Sequence, residues 1–368
     1  MIKSPAVRSL LYLPAKLYEL GVRTRIALYE AGYRKPARLH TPVVSIGNLT
    51  VGGTGKTPFA IWLANYLMSE GYNPAILSRG YRRDSRGIIE VSNTTEVLAT
   101  PGEAGDEPYL IAHACPGVRV VVSEDRAAAG KWLEDRFQLS ALILDDGFQH
   151  LGLERLLNFA LIDATNPSGD DAIFPLGRLR EPLTSLRRAD AVVVTRADRA
   201  FDQKAIEEMR GRYCRNGVPV FYAYHDVTDL VQLDGGAEMR PVDLGQQPVA
   251  ALSGVARPEI FLDDLRHYGA RIVLHREFRD HHKYSDQEFR SFESDAANAG
   301  AHLIVTTEKD AINLSGTAVS LSRLPVYASR IAFRCEDEAA LRSLILRAII
   351  GAERDRGCRT TSTSLSGT

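Results

Sequence analysis

Short apolar runs recur along the first part of the chain and alternate with longer amphipathic stretches. The runs are PVVSI, PAILS, VRVVVS, ALILDD, FALIDA, DAVVVTR and VPVFYA, and TPFAIWLANYLMSEG and EDRAAAGKWLEDRF lie between some of them. Uninterrupted apolar runs are typical of strands buried on both faces, and their alternation with helices favours a parallel sheet. The pattern predicts an α/β domain over residues 36–225, with a parallel sheet flanked by helices.

A turn-rich stretch, TDLVQLDGGAEMRPVDLGQQP, interrupts this alternation. Its DGG triplet is typical of a hairpin turn, so residues 226–247 are predicted to form a β-ribbon linker. The later runs VAALSG, RIVLHREF, HLIVTTEKD and VYASRIAF predict a second, smaller α/β domain over residues 248–350. The tail, residues 351–368, is polar and low in complexity, and we expect it to be disordered.

The N-terminal segment, residues 1–35, differs from the rest of the chain in charge. Residues 1–40 carry eight basic and two acidic side chains, whereas the whole chain has a net charge of −1, which gives no reason to expect a nucleic-acid partner. The stretch PAKLYELGVRTRIALYEAG predicts a helix that begins at Pro14 and ends before Gly32. Leucines recur at helical spacing between the basic residues: Leu10, Leu13, Leu17 and Leu20.

Charged residues interrupt the apolar face of this N-terminal helix, so it cannot cross a bilayer at an acceptable cost. An anionic membrane surface attracts basic side chains, and the helix is therefore expected to lie on such a surface. The alternative is a helix that packs on its own domain and shows a basic face to solvent.

The segment VVSIGNLTVGGTGKTPFAIW places a glycine-rich loop between a predicted buried strand and a predicted helix. This is the context of a phosphate-binding loop, although Thr50 stands where the motif has its first glycine. Backbone N–H groups and the helix N-terminus would bind phosphate, Lys56 would reach the β- and γ-phosphates, and the Thr57 hydroxyl would hold Mg²⁺. The alternative is a purely structural turn. The predicted nucleotide-binding residues are Thr50, Val51, Gly52, Gly53, Thr54, Gly55, Lys56 and Thr57.

Two adjacent carboxylates follow the apolar run ALIL, in the segment ALILDDGFQH. A P-loop enzyme needs a carboxylate at the end of a neighbouring strand to hold its metal ion. Asp145 and Asp146, together with Thr57, are therefore predicted to hold Mg²⁺. A pair of solvated turn aspartates is the alternative, but Gln149 and His150 extend the polar cluster.

Eight segments occur in one order along residues 9–334: TVGGTGKTP, SRGYRR, GDEP, VSEDR, DDGFQH, PLGRLREP, FRDHHKY and TTEKDA. Together they resemble the tetraacyldisaccharide 4'-kinase family, the lipid A 4'-kinases of Gram-negative bacteria. The family has a small residue at the position of Thr50. The resemblance implies a P-loop NTPase-like fold and transfer of the ATP γ-phosphate, with Mg²⁺, to the 4'-hydroxyl of a tetraacyl disaccharide-1-phosphate. It also implies membrane docking through the N-terminal helix, at the cytoplasmic face of the bacterial inner membrane.

The resemblance also implies roles for single residues. Asp106, in GDEP, corresponds to a catalytic acid/base, and His281, in FRDHHKY, corresponds to its partner, with the adjacent His282 as the other choice. Lys56 completes the expected catalytic set. The residues expected to line the acceptor or the phosphates are Arg79, Tyr81, Arg126, His150, Arg178, Arg180 and Glu181.

Two further segments and two further functions stay open at this point. VVVTRAD loosely resembles a guanine-binding segment of GTPases without the usual asparagine, and TTEKD places Lys309 and Asp310 either in a site or at a solvated helix start. The alternatives to a lipid kinase are a soluble P-loop GTPase or metallochaperone-like switch, and a nucleotide-gated binding module that transfers no phosphate.

Overall fold

A computed structural model describes residues 5–168, 172–199, 201–314 and 316–363. The helices are α1 (Pro5–Glu30), α2 (Lys56–Ser69), α3 (Pro101–Ala104), α4 (Asp106–Ala114), α5 (Arg126–Glu134), α6 (Gln203–Tyr213), α7 (Pro258–His267), α8 (Asp286–Asn298), α9 (Glu308–Ala311), α10 (Gly316–Ser320) and α11 (Glu338–Thr363). The strands are β1 (Val43–Asn48), β2 (Pro74–Ser78), β3 (Ile89–Ser92), β4 (Arg119–Val122), β5 (Ala141–Leu144), β6 (Leu157–Asp163), β7 (Ala191–Thr195), β8 (Val220–Gln232), β9 (Glu238–Met239), β10 (Pro248–Ser253), β11 (Arg271–Glu277), β12 (Leu303–Thr307) and β13 (Val326–Cys335).

Within the described residues the strands pair into one continuous sheet, in the order β11-β10-β12-β13-β8-β7-β6-β1-β5-β2-β4-β3, with β9 beside β8. From β7 to β4 all neighbours are parallel, and β3 closes that edge as an antiparallel strand. Strands β1, β2, β5, β6 and β7 are buried at every residue. Burial on both faces is the arrangement that the apolar runs predict.

Strand β8 connects the two halves of the sheet. Its first residues pair in parallel with β7, whereas most of its length pairs with β13 in antiparallel register, from Ala223 opposite Cys335 to Gln232 opposite Tyr327. The β-ribbon that joins the halves is therefore made of β8 and β13. The predicted linker, residues 226–247, contains the hairpin from β8 to β9 but not the second strand of the ribbon. That strand comes from a segment more than 90 residues further along the chain.

The smaller half contains β10, β11 and β12, which pair in parallel, with α7 and α8 packed against them. Its core includes Phe289 and Phe292. The chain then leaves this half along β13, and α11 packs Leu341, Ile345 and Ile349 into the core of the first half. Residues 338–350, which we expected in the smaller domain, thus belong by packing to the first one.

We expected residues 351–368 to be disordered, but helix α11 extends into this segment. It continues to Thr363, and residues 364–368 lie outside the described residues. Helix formation is cooperative, so a helix whose first turns are fixed by packing can extend without a second nucleation step.

Helix α1 begins at Pro5, nine residues before the predicted start, so Pro14 lies inside it. Pro14 is exposed, where water can satisfy the carbonyl that its ring leaves without a backbone partner. Gly32 follows the helix with a φ of 77°, the left-handed conformation expected at a helix end. One side of α1, with Ala15 and Ile26, is buried.

The opposite side of α1 is apolar and open to solvent. Leu10, Leu13, Leu17 and Leu20 are 76%, 65%, 62% and 62% exposed. Among the described helices, none combines the length and the apolar character needed to cross a bilayer. The exposed leucines therefore form a surface stripe.

Candidate active site

The glycine-rich loop lies between β1 and α2, as predicted, and α2 begins at Lys56. Gly55 caps this helix with a φ of 81°, and a Cβ there would overlap the ring of His225. Gly52 also has a positive φ, 106°. Only glycine adopts such angles without strain, so the loop curls directly onto the helix N-terminus.

The segment around Arg178–Arg180, here called the strap, holds the loop from one side. The Val51 N–H donates to the Arg178 carbonyl at 2.7 Å, and the Arg180 N–H donates to the Leu49 carbonyl at 2.6 Å. The Arg178 guanidinium returns to the Val51 carbonyl at 3.1 Å. Two arginines predicted to bind substrate or phosphate are thereby fixed beside the loop.

The end of β7 holds the loop from the other side. The Thr195 hydroxyl donates to the Thr54 carbonyl at 3.0 Å, and the Arg196 guanidinium donates to the Gly53 carbonyl at 2.7 Å. The segment VVVTRAD, for which a base-binding role was open, thus supports the backbone of the loop.

Lys56 and Asp146 meet at the carboxyl ends of the parallel strands in the first half of the sheet. The Lys56 ammonium lies 3.5 Å from Asp146 Oδ1 and 3.3 Å from Asn48 Oδ1. The Arg180 guanidinium contacts both carboxylate oxygens of Asp146, at 2.9 and 2.8 Å. Burial by itself would raise the pKa of Asp146, but Lys56 and Arg180 hold that pKa well below its ordinary value. Asp146 is therefore a carboxylate with two cationic neighbours.

Asp145 is buried on the other side of the same turn. One oxygen accepts a hydrogen bond from the Ser78 hydroxyl at 2.9 Å, and the other, Oδ1, has no hydrogen-bond partner among the described residues. Burial, and then the charges of Glu107 and Asp146, raise the pKa of Asp145 to about 7. A buried carboxylate oxygen without a partner is costly unless a cation neutralises it.

These residues fit Mg²⁺. Magnesium prefers oxygen ligands and commonly takes one or two carboxylates from the protein, with the remaining positions left for water and substrate phosphates. The described part of the chain contains no group of three or more His, Cys, Asp or Glu residues placed to bind a metal ion. Asp145, Asp146 and Thr57, the second residue of α2, are the side chains that would hold Mg²⁺.

Asp106 and His281 come together across the two halves of the molecule. Asp106 is the first residue of α4, and His281 lies in the loop after β11. Their Oδ2 and Nδ1 atoms are 2.8 Å apart. Burial by itself would raise the pKa of Asp106, but hydrogen bonds from His281 and Asn313 and the charge of Lys309 hold it below its ordinary value. The neighbouring His282 turns away, with its Nε2 3.2 Å from Glu288.

The remaining predicted residues divide into buried and exposed groups. Arg126 donates to the Asp146 carbonyl at 3.1 Å, and burial lowers its pKa to about 10. Burial, and then the charges of Arg126 and Arg155, lower the pKa of His150 to about 3, so this imidazole is neutral at physiological pH. Arg79 and Tyr81 are exposed, and the Tyr81 ring lies 5.6 Å from the His281 ring.

Glu181 does not lie where a substrate residue was expected. Its side chain is fully buried and ion-paired with Arg25 of α1, at 3.3 Å, and with Arg188. In the structure it fastens α1 to the first domain. The sequence could not distinguish this role, because the partner Arg25 lies 156 residues away.

Comparisons with known proteins identify the family that the sequence segments resemble. The family model described as tetraacyldisaccharide-1-P 4'-kinase matches residues 7–350. The chain belongs to this tetraacyldisaccharide 4'-kinase family. Proteins of that name from Geobacter sulfurreducens and Syntrophus aciditrophicus are 39% and 38% identical over 340 and 337 residues. These alignments cover 92% of this chain and 92% of the first relative, and 89% of this chain and 90% of the second.

A solved structure of the same family is also similar. The crystal structure of LpxK from Aquifex aeolicus in complex with ATP aligns with a TM-score of 0.75 and 35% identity, covering 93% of this chain and 99% of that one. The predicted family membership and α/β fold are thereby confirmed. The GTPase and metallochaperone-like alternatives are not favoured.

Some residues of this kinase-family site were not found from sequence. Asp163 pairs with Arg196 and, at 2.9 Å, with Arg257 from the smaller domain. Asp163 ends β6 at the carboxyl edge of the sheet, where ligands commonly bind in α/β proteins, so its position was a usable signal. Arg257 gave none. Glu107, whose charge reaches Asp145, immediately follows Asp106 in the GDEP segment.

We expect His225, beneath the loop, to make the stability of this kinase-family fold depend on pH. Burial, and then Arg196, lower the pKa of His225 to about 4, whereas an unfolded histidine has a pKa of about 6.5. As the pH falls below about 6.5, His225 becomes protonated in the unfolded chain but stays mostly neutral in the folded chain, and this difference favours unfolding. The contribution from His225 should therefore fall by about 2 kcal/mol between pH 7 and pH 5.

The measurement is urea unfolding at both pH values for the original chain, for His225→Gln and for the exposed control His302→Gln. The His225→Gln chain should lose less stability on acidification than the other two. Equal losses in all three chains would contradict the assignment.

Proposed function

We propose that this chain transfers the γ-phosphate of ATP to the 4'-hydroxyl of a tetraacyl disaccharide-1-phosphate, with Asp106 as the proton acceptor. The observation that carries the proposal is the contact between Asp106 and His281. The contact holds a carboxylate in its ionised form where the two domains meet, one residue from Glu107, whose charge reaches Asp145.

The proposed chemistry is an in-line displacement at phosphorus. The sugar oxygen forms a bond to the γ-phosphorus, the bond from that phosphorus to the β–γ bridging oxygen breaks, and ADP leaves. The hydroxyl proton passes to the Asp106 carboxylate as the new bond forms. Catalysis of phosphoryl transfer is mostly positioning and charge neutralisation, so Lys56, Arg178 and Arg180 are proposed to compensate charge on the phosphate oxygens. When bound, Mg²⁺ supplies further neutralisation of the phosphate oxygens.

The acceptor is proposed to lie beside Asp106, where the two domains meet. Tyr81 packs its ring near His281, and both Arg79 and Tyr81 expose their side chains. Exposed groups beside the proton acceptor can contact a sugar and its 1-phosphate. Arg126 and His150, which are buried, would shape the floor of the site. Glu181 contributes by fixing α1.

Helix α1 is proposed to dock on an anionic membrane, at the cytoplasmic face of the bacterial inner membrane. The support is the exposed leucine stripe of α1, flanked by basic residues. The same helix contacts the strap, because the Tyr18 hydroxyl donates to the Arg180 carbonyl at 3.1 Å. Docking through α1 would therefore bring the phosphate-binding loop close to the lipid acceptor.

The activity test incubates the full chain with γ-labelled ATP, Mg²⁺ and the lipid disaccharide-1-phosphate, and measures label in the lipid. Label should appear with ATP and be much weaker with GTP. A folded, ATP-binding preparation that leaves the lipid unlabelled would refute the proposal. Tight ATP binding without turnover would instead support a nucleotide-gated binding module.

The membrane proposal is tested by replacing Leu10, Leu13 and Leu17 with serine in one chain. Because these side chains are exposed, the melting temperature should change little, whereas flotation with anionic liposomes should fall by at least about tenfold. A matched control replaces the exposed Leu98, Val242 and Leu321 with serine. Equal flotation of both triple variants would count against docking through α1.

A further inference from the structure

We propose that Lys309 is a positioning residue that fixes the tautomer of His281 and thereby the direction of its hydrogen bond to Asp106. The proposal rests on the proposed role of Asp106 as proton acceptor. It also decides between two roles for His281, which could either orient Asp106 or take the proton onward.

Lys309 is held close to the far side of the His281 ring. It lies in α9, directly after β12, and its ammonium is 3.1 Å from His281 Nε2. Both side chains are mostly buried, with 20% of Lys309 and 11% of His281 exposed. Asp310, the next residue, fixes this helix start, because its carboxylate accepts from the Gly254 N–H at 3.0 Å and the Tyr284 hydroxyl at 2.9 Å.

The contact has only one chemically allowed direction. A lysine ammonium carries three donors and no acceptor, so Nε2 of His281 must accept and cannot carry a proton. The proton of the neutral imidazole then lies on Nδ1, and it is donated to Asp106 Oδ2 at 2.8 Å. The other tautomer would direct an N–H at the ammonium and a lone pair at the carboxylate, so both contacts would be repulsive.

The charges around the ring agree with this assignment. Asp280 lies 2.8 Å and Glu107 3.7 Å from the Lys309 ammonium, and the two carboxylates offset its charge. Asp280 Oδ1 is 3.9 Å from His281 Nε2, farther than the ammonium. Tyr81 offers the ring an aromatic edge rather than a charge. A protonated imidazole would place a second cation against Lys309.

The consequence concerns the path of the proton. With a hydrogen already on Nδ1, His281 cannot accept the proton that Asp106 receives from the sugar hydroxyl. His281 therefore orients the Asp106 carboxylate, and the proton stays on Asp106 until solvent removes it. Lys309 sets this arrangement from the smaller domain, through its contact with His281.

The test measures the tautomer directly, by ¹⁵N NMR of the full chain labelled at histidine. The His281 signals are assigned by their loss in His281→Gln. The original chain should show a protonated Nδ1 and an unprotonated Nε2, and Lys309→Met should shift the population toward a protonated Nε2. A protonated Nε2 in the original chain, or an unchanged tautomer in Lys309→Met, would overturn the proposal.

Activity gives the second measurement. Lys309→Met should lower kcat by at least about tenfold, since a misoriented base loses much of its effect, while the KM for ATP stays within about twofold. Lys309→Arg, which keeps a cationic donor, should recover part of the loss, and the exposed control Lys204→Met should behave as the original chain. Unchanged kcat in Lys309→Met would contradict the proposal. Failure of the original chain to phosphorylate lipid would refute the proposed function, whereas the NMR result would still report the tautomer.

Discussion

Asp106→Asn should lower turnover by about 10²–10⁴-fold and leave ATP affinity unchanged. Asparagine has nearly the size of aspartate, and its carbonyl oxygen can still accept the hydrogen bond from His281, so the contact between the two domains should keep its geometry. What is lost is the negative charge that takes the proton of the attacking hydroxyl. Single-turnover kinetics with saturating ATP isolates this step from product release.

The control for this change is Asp234→Asn, which makes the same substitution at an exposed hairpin position. A second comparison uses the double variant Asp106→Asn, His281→Gln. Residues that act as one unit are strongly non-additive, so the double variant should be no more than about threefold slower than Asp106→Asn alone. Multiplication of the two single effects would show that His281 acts independently of Asp106.

Lys56→Met should lower kcat by roughly 10²–10³-fold, the range seen when one preorganised charge or donor is removed from a transition state. Methionine fills the buried stem of the side chain but carries no charge. Asp146 would keep Arg180 as its cationic neighbour, at 2.8 Å, so the turn after β5 should stay in place. The loss should therefore appear in kcat and in ATP affinity rather than in the melting temperature.

The matched control is Lys131→Met on α5, where the lysine is exposed and pairs only with neighbouring helical carboxylates in the described structure. Isothermal titration with ATP and Mg²⁺ separates binding from turnover. A Lys56→Met chain that turns over at the original rate would remove Lys56 from the catalytic set.

The features that could be predicted from the sequence are local ones. The glycine-rich loop directly precedes helix α2, and the pair Asp145 and Asp146 directly follows a buried strand. In both cases the residue pattern and the strand or helix next to it lie within one short stretch of sequence. The position of Asp106 beside His281 depended on the family resemblance, because 175 residues separate them and neither segment specifies the other.

The features that could not be predicted all depend on long-range packing. Strand β13 pairs with β8 because the chain leaves the smaller domain in that direction, and no single window contains both strands. Glu181 has the sequence context of a site residue, but Arg25 and Arg188 neutralise it in the interior. Lys309 was undecided for the same reason, since its role depends on His281, 28 residues away.

The return of the chain along β13 has a consequence for biosynthesis. Phe59 of α2 packs against Phe333 of β13, with ring centroids 4.8 Å apart, and Ile345 of α11 joins the same apolar cluster. The amino-terminal lobe therefore remains unfinished until β13 and α11 have left the ribosome. The smaller lobe, encoded as an insertion, has its own strands and helices complete before then, so the order of maturation reverses the order of synthesis.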